Sequence, residues 1–157
     1  MKNAFLALAA LSLGACASSP AKFEHIELAR TACYGFCPVY QLNVEGDGTV
    51  TFKGERFVGS TDGSAKLDKK ALGELQQAFD KADFFTLNNQ YRSQKDGCTA
   101  VRTDAPSIII RYRTAEKDKT VRYYTGCQFD GQQRLQDLAT AIDTLTQSSQ
   151  WVKDPKR

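Results

Sequence analysis

Apolar and polar residues alternate with period two from Phe23 through "FEHIELAR", the pattern of a half-buried strand. Two further alternating runs make up "VYQLNVEGDGTVTFKGERFV". Gly46-Asp47-Gly48 joins them, and such residues accept the positive φ of a tight turn, so this segment predicts a hairpin. From Phe57 to Lys66 the chain is rich in Gly, Ser and Asp and reads as a loop. The period then changes. In "LDKKALGELQQAFDKADFF", Leu72, Leu75, Phe79 and Ala82 form one apolar stripe, Asp68 can cap the first turn, and Leu67 can staple against Leu72. A polar, irregular stretch from Asn88 to Asp104 separates this helix from a second hairpin, "SIIIRYRTAEKDKTVRYYTGC", which turns near Glu116 to Lys119. A second helix follows in "GQQRLQDLATAIDTLTQ", with Leu135, Leu138, Ile142 and Leu145 on one face. Both helices read L-x-x-L-x-x-x-φ-D, closing on Asp80 and Asp143. The expected fold is α+β: an antiparallel sheet built largely of hairpins, two helices packed on one face, and a suggested twofold hairpin–helix repeat.

The N-terminus has a different logic. Lys2 precedes an apolar run from Ala4 to Leu13, too short for the roughly 20 residues that span a bilayer, so residues 1–15 read as a secretory signal peptide. Leu13-Gly14-Ala15-Cys16 resembles a bacterial lipobox, which makes Cys16 the expected lipidation site and first mature residue. An ordinary A-x-A cleavage across Ala15 to Ala17 is the competing reading. Ala17 in place of Asp resembles the pattern of outer-membrane retention, so the expected location is the periplasmic face of the outer membrane. Residues 16–22 supply only a short tether. Its six residues after the cysteine reach about 20 Å at most. A single domain is expected over 23–153, with a polar tail at 154–157.

Setting Cys16 aside leaves Cys33, Cys37, Cys98 and Cys127. Four cysteines in an exported chain suggest two disulfides, with three pairings open. The favoured pairing is Cys33–Cys37 with Cys98–Cys127, because the first pair brackets a tight turn; the cross-pairings remain open. In this reading Tyr34-Gly35-Phe36 is a three-residue turn between strands, with the cysteines facing each other across the pair and Pro38 opening the second strand.

Other chemistries find little support. A redox dithiol usually carries C-x-x-C at a helix N-terminus, whereas the spacing here is C-x-x-x-C ahead of a strand. The cysteines form no pair of zinc knuckles, and His25 is the one histidine, so neither a metal centre nor a Ser-His-Asp arrangement is expected. The glycines belong to turns rather than to a phosphate-binding loop. A net charge of +3 with interleaved signs gives no basic face for nucleic acid. Arg30, Tyr34, Phe36, Tyr40, Tyr91, Arg92, Arg102, Tyr123 and Tyr124 gather near the cysteines in sequence, and Tyr and Arg are the types that anchor binding surfaces. Against that, strand tyrosines ordinarily fill sheet faces. Tyr34, Phe36 and Tyr40 are taken as the contact surface.

"RTACYGFCPVY", the "GDG" hairpin, "TDAPS", "RYYTGC" and the closing "QWV" together resemble an uncharacterised bacterial envelope family. This is a domain of unknown function marked by C-x-G-x-C-P-x-Y near its start and often found in lipoproteins. The resemblance runs from about Phe23 to Lys153 and implies a shared fold, with no activity, cofactor or site residues attached. The expected function is therefore a lipid-anchored, non-enzymatic envelope module that binds an envelope protein or supports the envelope. The alternative is a thiol-redox or metal-handling protein using Cys33 and Cys37.

Overall fold

The computed structural model describes residues 22–153. The expected signal peptide at 1–15, the expected lipidation site Cys16 and the polar tail at 154–157 lie outside the described residues.

The strands are β1 (His25–Arg30), β2 (Val39–Glu45), β3 (Thr49–Arg56) and β4 (Asp62–Lys66), followed by helix α1 (Lys69–Lys81). Then come β5 (Gln90–Tyr91), β6 (Ala100–Val101), β7 (Ser107–Arg113), β8 (Asp118–Tyr124) and β9 (Cys127–Gln128), followed by α2 (Gln132–Leu145) and α3 (Ser149–Val152). Seven strands form one sheet in the order β4-β3-β2-β1-β7-β8-β5, antiparallel except where β5 joins β8, while β6 and β9 pair separately. The α+β class is as the periodicity implies.

Alternation decides which face is covered. Ile26, Leu28, Leu42, Val44, Val50, Phe52, Ile110, Val121 and Tyr123 are fully or almost fully buried on one side. Against them pack Leu72, Leu75 and Phe79 of α1 and Leu135, Leu138, Ala139 and Ile142 of α2. The Phe79 ring stacks on Tyr112 at a centroid distance of 4.0 Å. Asp68 caps α1 as expected, accepting from the Ala71 amide at 2.8 Å. The opposite sheet face carries Glu27, Gln41, Asn43, Thr51, Lys53, Arg111 and Arg122 and stays open to solvent, as an antiparallel sheet permits.

Two expectations change. The stretch read as a loop from Phe57 to Lys66 contains β4, which pairs with β3 from Thr49↔Lys66 to Lys53↔Asp62. Its sequence, DGSAK, has little strand propensity, and as an edge strand without a buried residue it lacks the branched alternation of the inner strands. A Cβ on Gly63 would clash with indole atoms of Trp151, and that indole in turn stacks on Phe52. The suggested twofold repeat also breaks down in the sheet. Both hairpins precede a helix, but β1 is inserted between them and β4 extends only the first.

Candidate functional site

β1 and β2 stay in register as far as Arg30↔Tyr40, so residues 31–38 form a loop beyond the ladder. Cys33 and Cys37 are bonded within that loop, Cα to Cα 5.7 Å, rather than facing each other across the strand pair. Gly35 lies between them at φ 141°, in the region that favours glycine. The loop base is tied to β7: Thr31 N–H donates to Ser107 O at 3.0 Å, and Ser107 N–H donates back to Thr31 Oγ1 at 2.8 Å. Tyr34 N–H donates to Asp104 O. At the tip, Tyr34 is 89% and Phe36 75% exposed, and the Phe36 ring meets Phe57 edge-on at 5.3 Å.

Tyr40 is not part of that surface. It shares the parity of Leu42 and Val44, faces the helices, and is only 5% exposed. Its hydroxyl donates to Asp143 Oδ1 at 2.7 Å and accepts from Arg30 Nε at 2.8 Å. Arg30 Nη2 donates to Asp143 Oδ2 at 2.6 Å, and Ser148 Oγ donates to Asp143 Oδ1 at 2.6 Å. One carboxylate thus joins both sides of the Cys33–Cys37 loop to α2 and to the turn before α3. It also borders a cleft of about 530 Å³ that includes Gln147, Ser149 and Lys153. With four donors on its two oxygens, Asp143 acts as an anchor rather than a base open to substrate.

The electrostatics agree. Burial, then the Asp143 charge, pushes the Tyr40 phenol well above its ordinary value, with Arg30 opposing. Burial works against the charge on Arg30, but Tyr40 and Asp143 outweigh it and raise the guanidinium above its ordinary value. Tyr112 is pushed up to about 12, mainly by burial and secondarily by Asp80. Thus the aspartates closing the two helical motifs each bear on a sheet tyrosine.

A phenol whose folded value exceeds its unfolded one contributes stability that is intact below the unfolded value and lost as pH rises through the folded value. The unfolding free energy should therefore stay level through neutral pH and fall from about pH 10 upward, at up to about 1.4 kcal/mol per unit of raised pKa. Tyr112→Phe should flatten part of that fall. Short-exposure urea titrations from pH 8 to pH 12 test it; an unchanged slope in the variant would remove Tyr112 as the cause.

The second disulfide joins Cys98 to Cys127 at a Cα distance of 5.3 Å, with both residues buried. Beside it, Thr99 N–H donates to Gln128 O and Arg102 N–H to Gly126 O, which holds residues 98–106 against the end of the sheet. Tyr91 and Tyr123 belong to the core: Tyr91 stacks on Phe129 at 3.8 Å, and Tyr123 OH accepts from Gln136 Nε2. Tyr124 remains half-buried, its hydroxyl accepting from Ala105 N–H. His25 Nδ1 lies 3.0 Å from Glu45 Oε1, and no group of three His, Cys, Asp or Glu side chains converges among the described residues. Asp143 was readable from sequence only as an acid following the buried Ile142. Its convergence with Arg30 and Tyr40, over a hundred residues away, depends on the fold.

A family model described as a domain of unknown function (DUF6438) matches residues 24–146. A search of curated proteins returns no match.

Proposed function

The chain belongs to this family of domains of unknown function, and we propose that it is a lipid-anchored envelope module that binds a protein partner through the Cys33–Cys37 loop. Two disulfides point to an extracytoplasmic location, where thiols are not kept reduced. The lipobox-like Cys16 supplies the anchor, through the short tether that ends at Lys22.

The observation that carries the reading is the polarity of β1. Its first residue, His25, lies three residues after Lys22, and its last, Arg30, leads into the exposed aromatic tip. Six residues of strand separate tether from tip by about 20 Å. A domain anchored at Cys16 would therefore present Tyr34 and Phe36 away from the lipid surface, toward a protein with an apolar socket. A ring held by a disulfide loses little freedom on docking, and aromatic side chains serve as anchors in such sockets.

Two measurements test the proposal. Clickable fatty acid should label the protein and fail to label Cys16→Ser. A photo-crosslinking residue placed at Tyr34 should give one discrete protein adduct in cells, lost on Phe36→Ser. Crosslinking to lipid, or no adduct from a normally folded and localised protein, would overturn the docking role.

A further inference from the structure

We infer that the cleft between the ends of β7 and β8 and the disulfide-held segment 98–106 binds a small molecule through a carboxylate or phosphate oxyanion. The cleft has a volume of about 490 Å³, within the range of small-molecule sites. Arg92 and Arg122 line it, and among the described residues no acidic side chain does. Neither guanidinium makes a hydrogen bond or ion pair with another described residue, whereas Arg30, Arg111 and Arg113 each face a carboxylate. The nearest acids along the chain are occupied elsewhere. Asp96 accepts from Ser93 and Gln90, and Asp104 accepts from the Thr103 hydroxyl.

The remaining lining suits the body of such a ligand. Tyr124 OH accepts from Ala105 N–H, which leaves its own proton to donate. The Ser107 hydroxyl makes no hydrogen bond to another described residue, while Val101 and the edge of the largely buried Tyr91 ring supply apolar surface. Two planar, permanently charged forks with nothing to neutralise them match a bidentate oxyanion. The fold explains why both line one cleft. Gln90↔Arg122 register brings β5 beside β8, and the Cys98–Cys127 bond fixes the opposing wall. Thr31 and Ala32 at the base of the 31–38 loop also line the cleft, but Tyr34 and Phe36 do not, so the two proposals are tested separately.

Amide NMR titration of the full, disulfide-intact protein tests it with three probes: glucuronate, glycerol 3-phosphate and neutral glucose. Saturable shifts confined to residues around Gln90–Arg92 and Arg122–Tyr124 are expected with an anion and absent with glucose. The anion that saturates at lower concentration identifies carboxylate or phosphate as the natural group. Arg122→Gln should weaken that binding about tenfold, and Arg122→Lys less, since charge is kept but the fork is lost. Shifts of equal size with glucose, no saturable shift with either anion, or unchanged affinity in a folded Arg92→Gln/Arg122→Gln variant would overturn the assignment.

Discussion

Asp143→Ala should lower the unfolding free energy by about 2–3 kcal/mol, a melting shift of roughly 5–10 °C for a domain of this size. Losing one partner of a fully buried pair typically costs 3–5 kcal/mol, whereas an exposed pair is worth about 1 or less. Here the Arg30 and Asp143 side chains are 28% and 21% exposed, so solvent screens part of the effect and the expectation falls between those limits. The variant also strands the Tyr40 and Ser148 hydroxyls, both of which donate to the lost carboxylate. Asp143→Asn should be milder, since it keeps a hydrogen-bond acceptor. The double variant Arg30→Met/Asp143→Leu should be more stable than Asp143→Ala, because no uncompensated charge remains. Urea unfolding of the series reads these differences directly. Hydrogen exchange should quicken in residues 31–39 of Asp143→Ala with the Cys33–Cys37 bond intact, because Arg30 and Tyr40 flank that loop. A loss below about 0.5 kcal/mol would mean that the pair behaves like an ordinary surface contact.

This network rests on long-range contacts that no local pattern encodes. Period-two and period-3.6 patterns identified both long hairpins and both long helices, because each buries one face against the same core and so must repeat. β4 escapes the pattern for a related reason: Gly63 lies under the Trp151 indole, where any larger side chain would clash. Tyr40 has the parity of Leu42 and Val44, which sets it on the core face despite its place beside the Cys33–Cys37 motif. Tyr34 and Phe36 were legible as a tip because two cysteines and a glycine leave the residues between them no core to enter. Pairing across long separations was not legible. Nothing in the local pattern near Gln90 indicates that it will lie beside Arg122, or that two arginines will share a cleft without an acid.

Replacing Cys98 and Cys127 together by alanine should cost about 3.5 kcal/mol, against about 2 kcal/mol for the Cys33/Cys37 pair. The difference starts from chain entropy: the separations are 29 and 4 residues, and the longer loop loses more freedom in the unfolded state. Native contacts widen it further. Cys98 and Cys127 are 4% and 0% exposed within the core, so the replacement also gives up packing. Without the bond, residues 98–106 keep the two-residue β6–β9 bridge and scattered hydrogen bonds through Thr99, Arg102, Asp104, Ala105 and Pro106. Such a short pairing is marginal alone. Proteolysis of the double variant should thus nick first between Ser93 and Thr103, with the seven-stranded sheet still folded. The Cys33/Cys37 variant should unfold as one unit and resist such nicking. Paired urea titrations and limited proteolysis distinguish the two. If the losses were equal, with no local cleavage, the segment would be held by its own turns, and the cross-link would act on the unfolded chain alone. Because domains of this size have only about 5–15 kcal/mol to lose, the larger cost also predicts poor recovery of the protein from a reducing compartment. That result would tie the fold itself to the oxidising environment its cysteines imply.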